Sequence, residues 1–197
     1  MAKALTVHVL GFRDVVPEGM PLIDTTSRSR NWSRGLSPFL LGPVPLYPSA
    51  PISHAQNVEN AWQYSKVYAG YVDKDGKPTQ QYWDWATKGW HDKRAQRYPM
   101  GKGSKPLFSW WEGEALGYIE ARKKIYIQLY APAVYESAAF QQLKELYAEH
   151  GEIALRDFDG YDYIKRGMTL KDVVNEPREK MGHAFVLAIL LMGRKGR

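Results

Sequence analysis

One stretch of the chain, ENAWQYSK at Glu59–Lys66, repeats an acid, an amide and a base at steps of four and three residues. On an α-helix those steps place Glu59, Gln63 and Lys66 on one face, with Trp62 about a quarter turn from Gln63. Such a stripe is either a solvated face, where each side-chain pair adds a few tenths of a kcal/mol, or one wall of a polar pocket. In the pocket interpretation the carboxylate takes part in chemistry.

Length and composition restrict the class of protein. The 197 residues can bury a hydrophobic core, and we predict a single domain over 1–197. The chain contains no cysteine, which excludes disulfides, zinc–thiolate sites and thiol nucleophiles and is typical of a reducing compartment. The five histidines show no paired metal-ligand spacing, so we predict no metal site and no cofactor.

The location of the protein follows from its hydropathy pattern. No run approaches the roughly 18 apolar residues of a membrane span, and the N-terminus at Met1–Leu5 lacks the apolar core and cleavage site of a signal peptide. We therefore predict a cytoplasmic protein without a membrane partner. The oligomeric state stays open.

The formal charge of +6 and the sequence pI near 9.3 indicate an anionic partner. Basic residues cluster at 28–34, 88–97, 102–105, 122–124 and 195–197, and the middle clusters interleave with Trp83, Trp85, Trp90, Trp110 and Trp111. Basic grooves with aromatic side chains hold nucleotides and single strands, at about 1–3 kcal/mol for each stacked base. The alternative is that tryptophans such as Trp83, Trp110 and Trp111 belong to the core.

Periodicity and turn residues predict one mainly helical α+β domain with a small β-sheet. The predicted strands are Leu5–Leu10 and Glu152–Asp157, and residues 1–35 as a whole are interpreted as a strand followed by a long basic loop. The predicted helices are one from the N-cap Asn57 to Gly70, one from the cap Thr79 to Lys88, Asp92–Tyr98, Glu114–Tyr130, Ala138–His150 with Gly151 as C-cap, and Arg178–Gly193. The last of these is apolar on every side and is predicted to lie in the core.

A second segment, DFDGYD at Asp157–Asp162, concentrates three carboxylates around a glycine. Three interpretations compete: a turn rich in aspartate, a calcium loop, or a pair of active-site acids. The calcium loop is disfavoured, because the glycine and the bidentate glutamate are not at the positions that a 12-residue loop requires.

These motifs resemble the NADAR (NAD- and ADP-ribose-associated) superfamily. The spacing of Glu59, Gln63 and Lys66 matches that family's E-x-x-x-Q-x-x-K helix, which follows an extended entry rich in Phe and Pro, here 36–51. Asp157 and Asp162 reproduce the spacing of an acidic pair that follows a short strand in the family. Gly182, Leu190 and Arg194 occupy the positions of the Gly, Leu and Arg of its closing helix.

The chain also departs from that pattern. Lys165 and Arg166 stand where the family has a Trp-Gly pair, and Ala184 and Leu187 replace an Asn and a Gly of the closing helix. The Trp-rich basic segment 71–110 is an insertion without a counterpart in the family's pattern.

The resemblance implies a NADAR-like fold and hydrolysis of an N-glycosidic bond in an ADP-ribosyl or phosphoribosyl compound, including a modified nucleotide or nucleic-acid base. The implied catalytic residues are Glu59 as the carboxylate near C1′, Gln63 as a positioner of a hydroxyl or water, and Asp157 or Asp162 as the second acid or base. The implied ligand-binding residues are Lys66 and Arg122 for phosphate, Trp62 for the base, and Arg194.

Two other classes of protein fit the same sequence. One is a non-catalytic nucleic-acid-binding or inhibitory protein that uses the basic, Trp-rich surface, and the other is a small assembly subunit. The binding protein predicts an affinity that falls steeply with salt and no product from nucleotides.

Overall fold

The structure, a computed structural model, describes residues 5–193 and contains an α+β fold with small sheets, as predicted. The strands are β1 (Thr6–Leu10), β2 (Leu22–Asp24), β3 (Val44–Pro45), β4 (His54–Ala55), β5 (Lys66–Val67), β6 (Phe108–Trp111), β7 (Glu114–Leu116) and β8 (Glu152–Arg156). The α-helices are α1 (Val58–Gln63), α2 (Gln80–His91), α3 (Tyr118–Ala121), α4 (Gln128–Tyr135), α5 (Ala138–His150), α6 (Leu170–Asn175) and α7 (His183–Met192). Two 3-10 helices cover Trp32–Leu36 and Ala69–Tyr71, and a π-helix covers Arg122–Ile127.

The described chain forms two compact units. The first unit contains residues 5–37 and 130–193, and the second unit is Pro38–Leu129. None of the helices within 5–193 has the length and apolar content that a transmembrane span requires.

The first unit is built on a parallel sheet in the order β1-β8-β2, with Val7 opposite Ile153 and Ile23 opposite Leu155. The central strand β8 is fully buried from Ile153 to Leu155, as expected for a parallel strand covered on both faces. Helix α7 packs against β1 and is fully buried over 184–188, which confirms its predicted place in the core.

Several predicted boundaries in the first unit are confirmed and others are wrong. Helix α5 matches its prediction, and Gly151 ends it in the left-handed conformation at φ 73°. Helix α7 begins at His183 instead of Arg178, because the N-cap Gly182 is extended. The predicted basic loop contains β2 and a 3-10 helix, and no pattern predicted α6.

The second unit contains the antiparallel sheet β5-β6-β7 and the two-stranded ladder β3-β4. The predicted helix Glu114–Tyr130 is wrong at its start, because Glu112 and Gly113 both have positive φ and form a two-residue hairpin turn. The turn pairs Trp111 with Glu114 and places the start of the predicted helix in β7.

The helix predicted over Asp92–Tyr98 is absent from the second unit, and Asn60 explains why. The fully buried Asn60 amide nitrogen donates to the carbonyls of Asp92 and Arg94, and its oxygen accepts from the Gln96 backbone N–H. These bonds take backbone groups that a helix would use, so the segment is held in an irregular path along α1.

Candidate functional site

Helix α1 is short and firmly held, and it places the first candidate residues. The Asn57 side chain caps it by accepting from Asn60 N–H at 2.8 Å, as predicted. The N–H groups of Val58 and Glu59 donate to Leu41 O and Pro38 O, respectively. The extended entry therefore satisfies the free donors of the first turn and fixes the rotation of the helix.

A chain of hydrogen bonds joins the acid, the amide and the base. Gln63 Nε2 donates to Glu59 Oε1 at 2.9 Å, and Lys66 Nζ donates to Gln63 Oε1 at 2.8 Å. Glu59 is 6% exposed and Gln63 is 7% exposed, so the interpretation of this stripe as a solvated face is wrong. A buried carboxylate needs such partners to remain in place.

The helix ends before Lys66, contrary to the prediction that it continues to Gly70. Ser65 Oγ donates to Trp62 O at 2.8 Å, and Lys66 then pairs with Ser109 in the sheet. Lys66 reaches Gln63 from a strand and not from the next turn of the helix. Its Nζ also lies 4.8 Å from the centroid of the Trp62 ring, a cation–π distance.

A second wall of the site comes from the π-helix Arg122–Ile127, which packs against α1. Trp62 contacts the Tyr126 ring with centroids 5.4 Å apart, and Arg122 is 2% exposed. The Arg122 guanidinium lies 4.6 Å from the centroid of the exposed Tyr118 ring. π-Helical turns within α-helices are frequent at functional sites.

The second unit thus brings together five of the predicted site residues on α1, the following strand β5 and the π-helix: Glu59, Trp62, Gln63, Lys66 and Arg122. Sequence analysis missed Tyr118 and Tyr126, which contact Arg122 and Trp62. The arrangement offers a buried carboxylate, two basic side chains and aromatic faces. Basic side chains and aromatic faces are groups that bind anionic, ring-containing ligands, and a carboxylate is a group that can take part in catalysis.

In the first unit, Asp157 lies immediately after β8 and is 4% exposed. Its Oδ2 is 3.0 Å from His183 Nδ1 and accepts from Ala184 N–H at 3.1 Å, at the start of α7. His183 Nε2 is 2.8 Å from the carbonyl oxygen of Thr25. Both ring nitrogens therefore face acceptors, and the doubly protonated imidazolium satisfies both contacts.

The protonation of Asp157 follows from these contacts. Burial favours the neutral acid, but the positive charge and hydrogen bond of His183 and the N–H groups of Ala184 and Asp159 outweigh it and lower the pKa of Asp157 to about 2. Burial and the negative charge of Asp157 raise the pKa of Tyr130 well above its usual value. At neutral pH Asp157 is therefore an anion and Tyr130 is neutral.

Asp162 has a different environment from Asp157. It is partly exposed, and its Oδ1 accepts from the Lys165 N–H at 2.9 Å. Turn formation, one of the three interpretations of the aspartate segment, therefore describes Asp162, while Asp157 belongs to a buried ion pair. Their roles as second acid or base stay predictions, and Arg194 and 195–197 lie outside the described residues.

His183 was not predicted as a site residue. The sequence places it directly after Gly182, but a helix starting at Arg178 would have put its side chain in mid-helix. The informative feature was the glycine, because Gly182 has no side chain where the Asp157 carboxylate lies.

The tryptophans of the basic segment are divided between core and surface layer. Trp90 is fully buried and Trp111 is 8% exposed, whereas Trp83 and Trp110 are half-buried, so the core prediction is confirmed for Trp111 and holds only in part for the other two. Trp85 packs on Tyr64 at 4.6 Å between ring centroids. Much of the aromatic surface of this segment is therefore used within the second unit.

Replacing Gly182 with Ala should destabilise the first unit by about 1–3 kcal/mol, the usual range for overpacking. A Cβ at this position would lie 2.2 Å from Asp157 Oδ2 and would displace the buried ion pair. Urea unfolding followed by circular dichroism measures the free energy of unfolding.

Gly117 provides a matched control for this substitution. Both glycines are N-caps with nearly the same backbone angles, φ −73° and ψ 165° at Gly182 and φ −67° and ψ 168° at Gly117. A Cβ at Gly117 meets no atom within 4 Å, so Gly117→Ala should cost less than about 1 kcal/mol. Equal losses in the two variants would contradict the proposed collision with Asp157.

Comparison with known proteins provides a family but no function. No curated protein matches the chain, and no solved structure matches it. One family model matches residues 10–169, a range that includes Glu59, Arg122, Asp157 and Asp162. The chain belongs to that family, DUF6939, a family of unknown function.

Proposed function

We propose that the protein hydrolyses an N-glycosidic bond between a ribose and a nitrogen in an ADP-ribosyl or phosphoribosyl compound. The observation that carries the proposal is the buried Glu59 carboxylate, joined through Gln63 to Lys66 beside Trp62. The resemblance to the NADAR superfamily supports the same reaction through the spacing of these residues. The fold alone does not determine function, so the proposal rests on this site.

Glu59 has the charge that the reaction requires. Cleavage of the bond between C1′ and nitrogen develops positive charge on the ribose ring, and a fixed carboxylate beside C1′ stabilises it. Burial excludes water and strengthens this interaction, because the local dielectric constant is low. The hydrogen bond from Gln63 fixes the orientation of the carboxylate.

Gln63 suits the positioning of a ribose hydroxyl or the attacking water. Its Nε2 carries two hydrogens and its Oε1 has two lone pairs, so the bonds to Glu59 and Lys66 leave one donor position and one acceptor position. The bond from Lys66 polarises the amide toward Glu59. The three side chains thereby act as one connected group.

Lys66 and Arg122 suit the phosphate of the substrate, and Trp62 suits its base. An ammonium has three N–H donors and a guanidinium has five, and both groups bind phosphate oxygens through charge-assisted hydrogen bonds. The aromatic contacts with Trp62 and Tyr118 orient the two cations. Trp62, which is partly exposed, presents a ring for stacking.

A single incubation tests the proposed reaction. The purified protein is mixed with ADP-ribosylated DNA, ADP-ribose, NAD and phosphoribosyl-amine compounds, and the products are identified by mass spectrometry. We expect a free ribosyl product and a released nitrogen base from at least one of the N-glycosides, whereas ADP-ribose itself, which has no N-glycosidic bond at its terminal ribose, should remain unchanged there. The absence of cleavage in every N-glycoside would contradict the proposal.

Replacing Lys66 with Met should weaken the binding of a phosphorylated substrate by about 10- to 100-fold, which corresponds to about 1.4–2.8 kcal/mol. Met retains most of the length of the side chain and removes its charge. We expect the loss in KM with kcat within a few-fold of the wild type, because binding to phosphate persists from ground state to transition state. Steady-state kinetics measures KM and kcat.

Lys124→Met is the matched control for Lys66→Met. Lys124 is exposed in the same unit and pairs with Glu114 at 2.7 Å, so this variant removes the same charge from a side chain outside the hydrogen-bonded series of Glu59, Gln63 and Lys66. Its KM should remain unchanged. An equal rise of KM in both variants would show a general effect of net charge instead of a phosphate contact at Lys66.

A further inference from the structure

A groove runs along one face of helix α2 in the second unit. Its volume is about 670 Å³, which lies within the usual range for sites that bind small molecules. One wall consists of two rows of side chains, each with a spacing of four residues, which places both rows on one face of the helix. The lining residues are Gln80, Asp84 and Lys88 in one row, Trp83, Thr87 and His91 in the other, and Ser49 and Pro51 on the opposite wall.

The opposite wall of the groove is the loop between β3 and β4. The Leu46 N–H donates to Ser53 O at 2.8 Å across the base of this loop. Directly after β4, the Gln56 N–H donates to Trp90 O at 2.9 Å and joins the hairpin to α2. The two walls are therefore held at a fixed separation by backbone hydrogen bonds.

Trp83 presents an aromatic surface to the groove. Its side chain is half-buried, and within residues 5–193 its ring contacts one other ring, that of Tyr82, with centroids 4.9 Å apart at 69°. An edge-to-face contact covers at most one face of the Trp83 ring. Because Trp83 also lines the groove, a flat ligand ring can stack on its other face.

The polar groups of the groove differ between its two ends. Asp84 Oδ1 accepts from Gln80 Nε2 at 2.9 Å, and the remaining oxygens of this pair are hydrogen-bond acceptors. The side chains of Lys88 and His91 form no ion pair or hydrogen bond within residues 5–193, although Asp84 precedes Lys88 by one helical turn. Acceptors therefore lie at one end of the groove, and N–H donors lie roughly 10 Å farther along the helix axis.

We propose that this groove binds a purine mononucleotide that carries an exocyclic amine. The purine stacks on Trp83, its amine donates to the Asp84 carboxylate, and its phosphate accepts from Lys88 and His91. A nucleic-acid strand fits less well, because a further phosphate would face the negative charge of Asp84. An apolar ligand would remove water from Asp84 and Lys88 without replacing those hydrogen bonds.

Nucleotide binding at the groove is independent of the proposed hydrolysis. The residues that line the groove do not include Glu59, Gln63 or Lys66. A protein that cleaves no N-glycoside can still bind a mononucleotide here, and a protein that binds none here can still hydrolyse a substrate beside Glu59. The two proposals therefore fail separately.

Isothermal titration calorimetry of the full chain with AMP tests the proposal. We expect saturable binding, and Lys88→Met should weaken it by about tenfold, because one charged contact to the phosphate is lost. Lys102→Met is the matched control, since Lys102 is exposed in the same unit and does not line the groove. Lys66→Met should also leave this binding unchanged, which distinguishes the groove from the Glu59 site.

The contribution of each part of the ligand is tested with three related compounds. Adenosine lacks the phosphate and should bind about tenfold more weakly than AMP. Inosine monophosphate has an oxygen in place of the exocyclic amine and should also bind more weakly, because an acceptor then faces the Asp84 carboxylate. Ribose 5-phosphate lacks the base and should show no binding at the concentrations that saturate with AMP.

Nuclear magnetic resonance identifies the ring on which the purine stacks. The chain has seven tryptophans, and the indole N–H signal that is missing from the spectrum of Trp83→Phe belongs to Trp83. Addition of AMP to the wild type should shift this signal more than the other indole signals. Trp83→Phe keeps an aromatic ring and should still bind AMP, and circular dichroism verifies that the variant is folded.

Four outcomes would overturn the proposal. The first is no saturable binding of AMP or GMP. The second is a loss of AMP binding in Lys66→Met with none in Lys88→Met, which would place the nucleotide beside Glu59. The third is an indole signal of Trp83 that stays in place when AMP binds, and the fourth is inosine monophosphate that binds as tightly as AMP.

Discussion

Glu59→Gln should lower kcat on an N-ribosyl substrate by roughly 10³-fold, within the range for loss of a charged catalytic group. The amide has the shape of the carboxylate and can still accept the hydrogen bond from Gln63 Nε2, which measures 2.9 Å in the wild type. It lacks the negative charge that stabilises the developing ribosyl cation. Single-turnover kinetics measures the rate, and calorimetry with the unreactive product measures binding, which should stay within about threefold.

Glu114→Gln controls for the loss of one carboxylate in the second unit. Glu114 is exposed and pairs with Lys124, so its substitution should leave kcat unchanged. Urea unfolding of Glu59→Gln verifies that the buried substitution has left the unit folded. A variant that keeps the wild-type kcat but binds the product much more weakly would contradict the catalytic role and would identify Glu59 as a ligand-binding residue.

The sequence predicted where helix α1 begins more accurately than where it ends. Asn57 was recognised as the N-cap because its side chain satisfies a local donor, Asn60 N–H, three residues ahead. Lys66 was predicted on the same face as Gln63, which it does contact, but on the wrong element. The helix ends because β6 pairs with Lys66 and Val67, and residues more than 40 positions away do not appear in a local helical pattern.

The sequence did not determine whether the polar side chains of α1 are buried. The stripe of Glu59 and Gln63 has the same residues whether water or protein covers it, and only the packing of α1 against the π-helix distinguishes the two cases. The same limit hid the Asp157–His183 pair, since its members are 26 positions apart and meet only where β8 ends beside the start of α7. The spacing within 157–162 suggested a pair of acids, and the structure gives the two aspartates different partners.

Asp157→Asn should destabilise the first unit by about 3–5 kcal/mol at neutral pH, the usual cost of breaking a buried ion pair. The amide keeps the size of the carboxylate but removes the negative charge that faces the buried His183 ring. Hydrogen exchange of the amides of α7 and β8 should show the loss, because these elements contain His183 and precede Asp157 directly. Urea unfolding measures the total loss in the free energy of unfolding.

The pH dependence of stability provides the second measurement on Asp157. Its pKa is about 2 in the folded protein, below its ordinary value of 3.8, so its contribution is complete above pH 3.8 and is lost as the pH falls toward 2. The shift corresponds to about 2 kcal/mol, and Asp157→Asn should remove that part of the acid dependence.

Asp162→Asn is the control for Asp157→Asn. Asp162 is partly exposed, and an amide at this position can also accept the Lys165 N–H bond, so the loss in the free energy of unfolding should stay below about 1 kcal/mol. If the two variants lose equal stability, or if Asp157→Asn retains the acid dependence of the wild type between pH 3.8 and 2, then the buried pair does not stabilise the first unit.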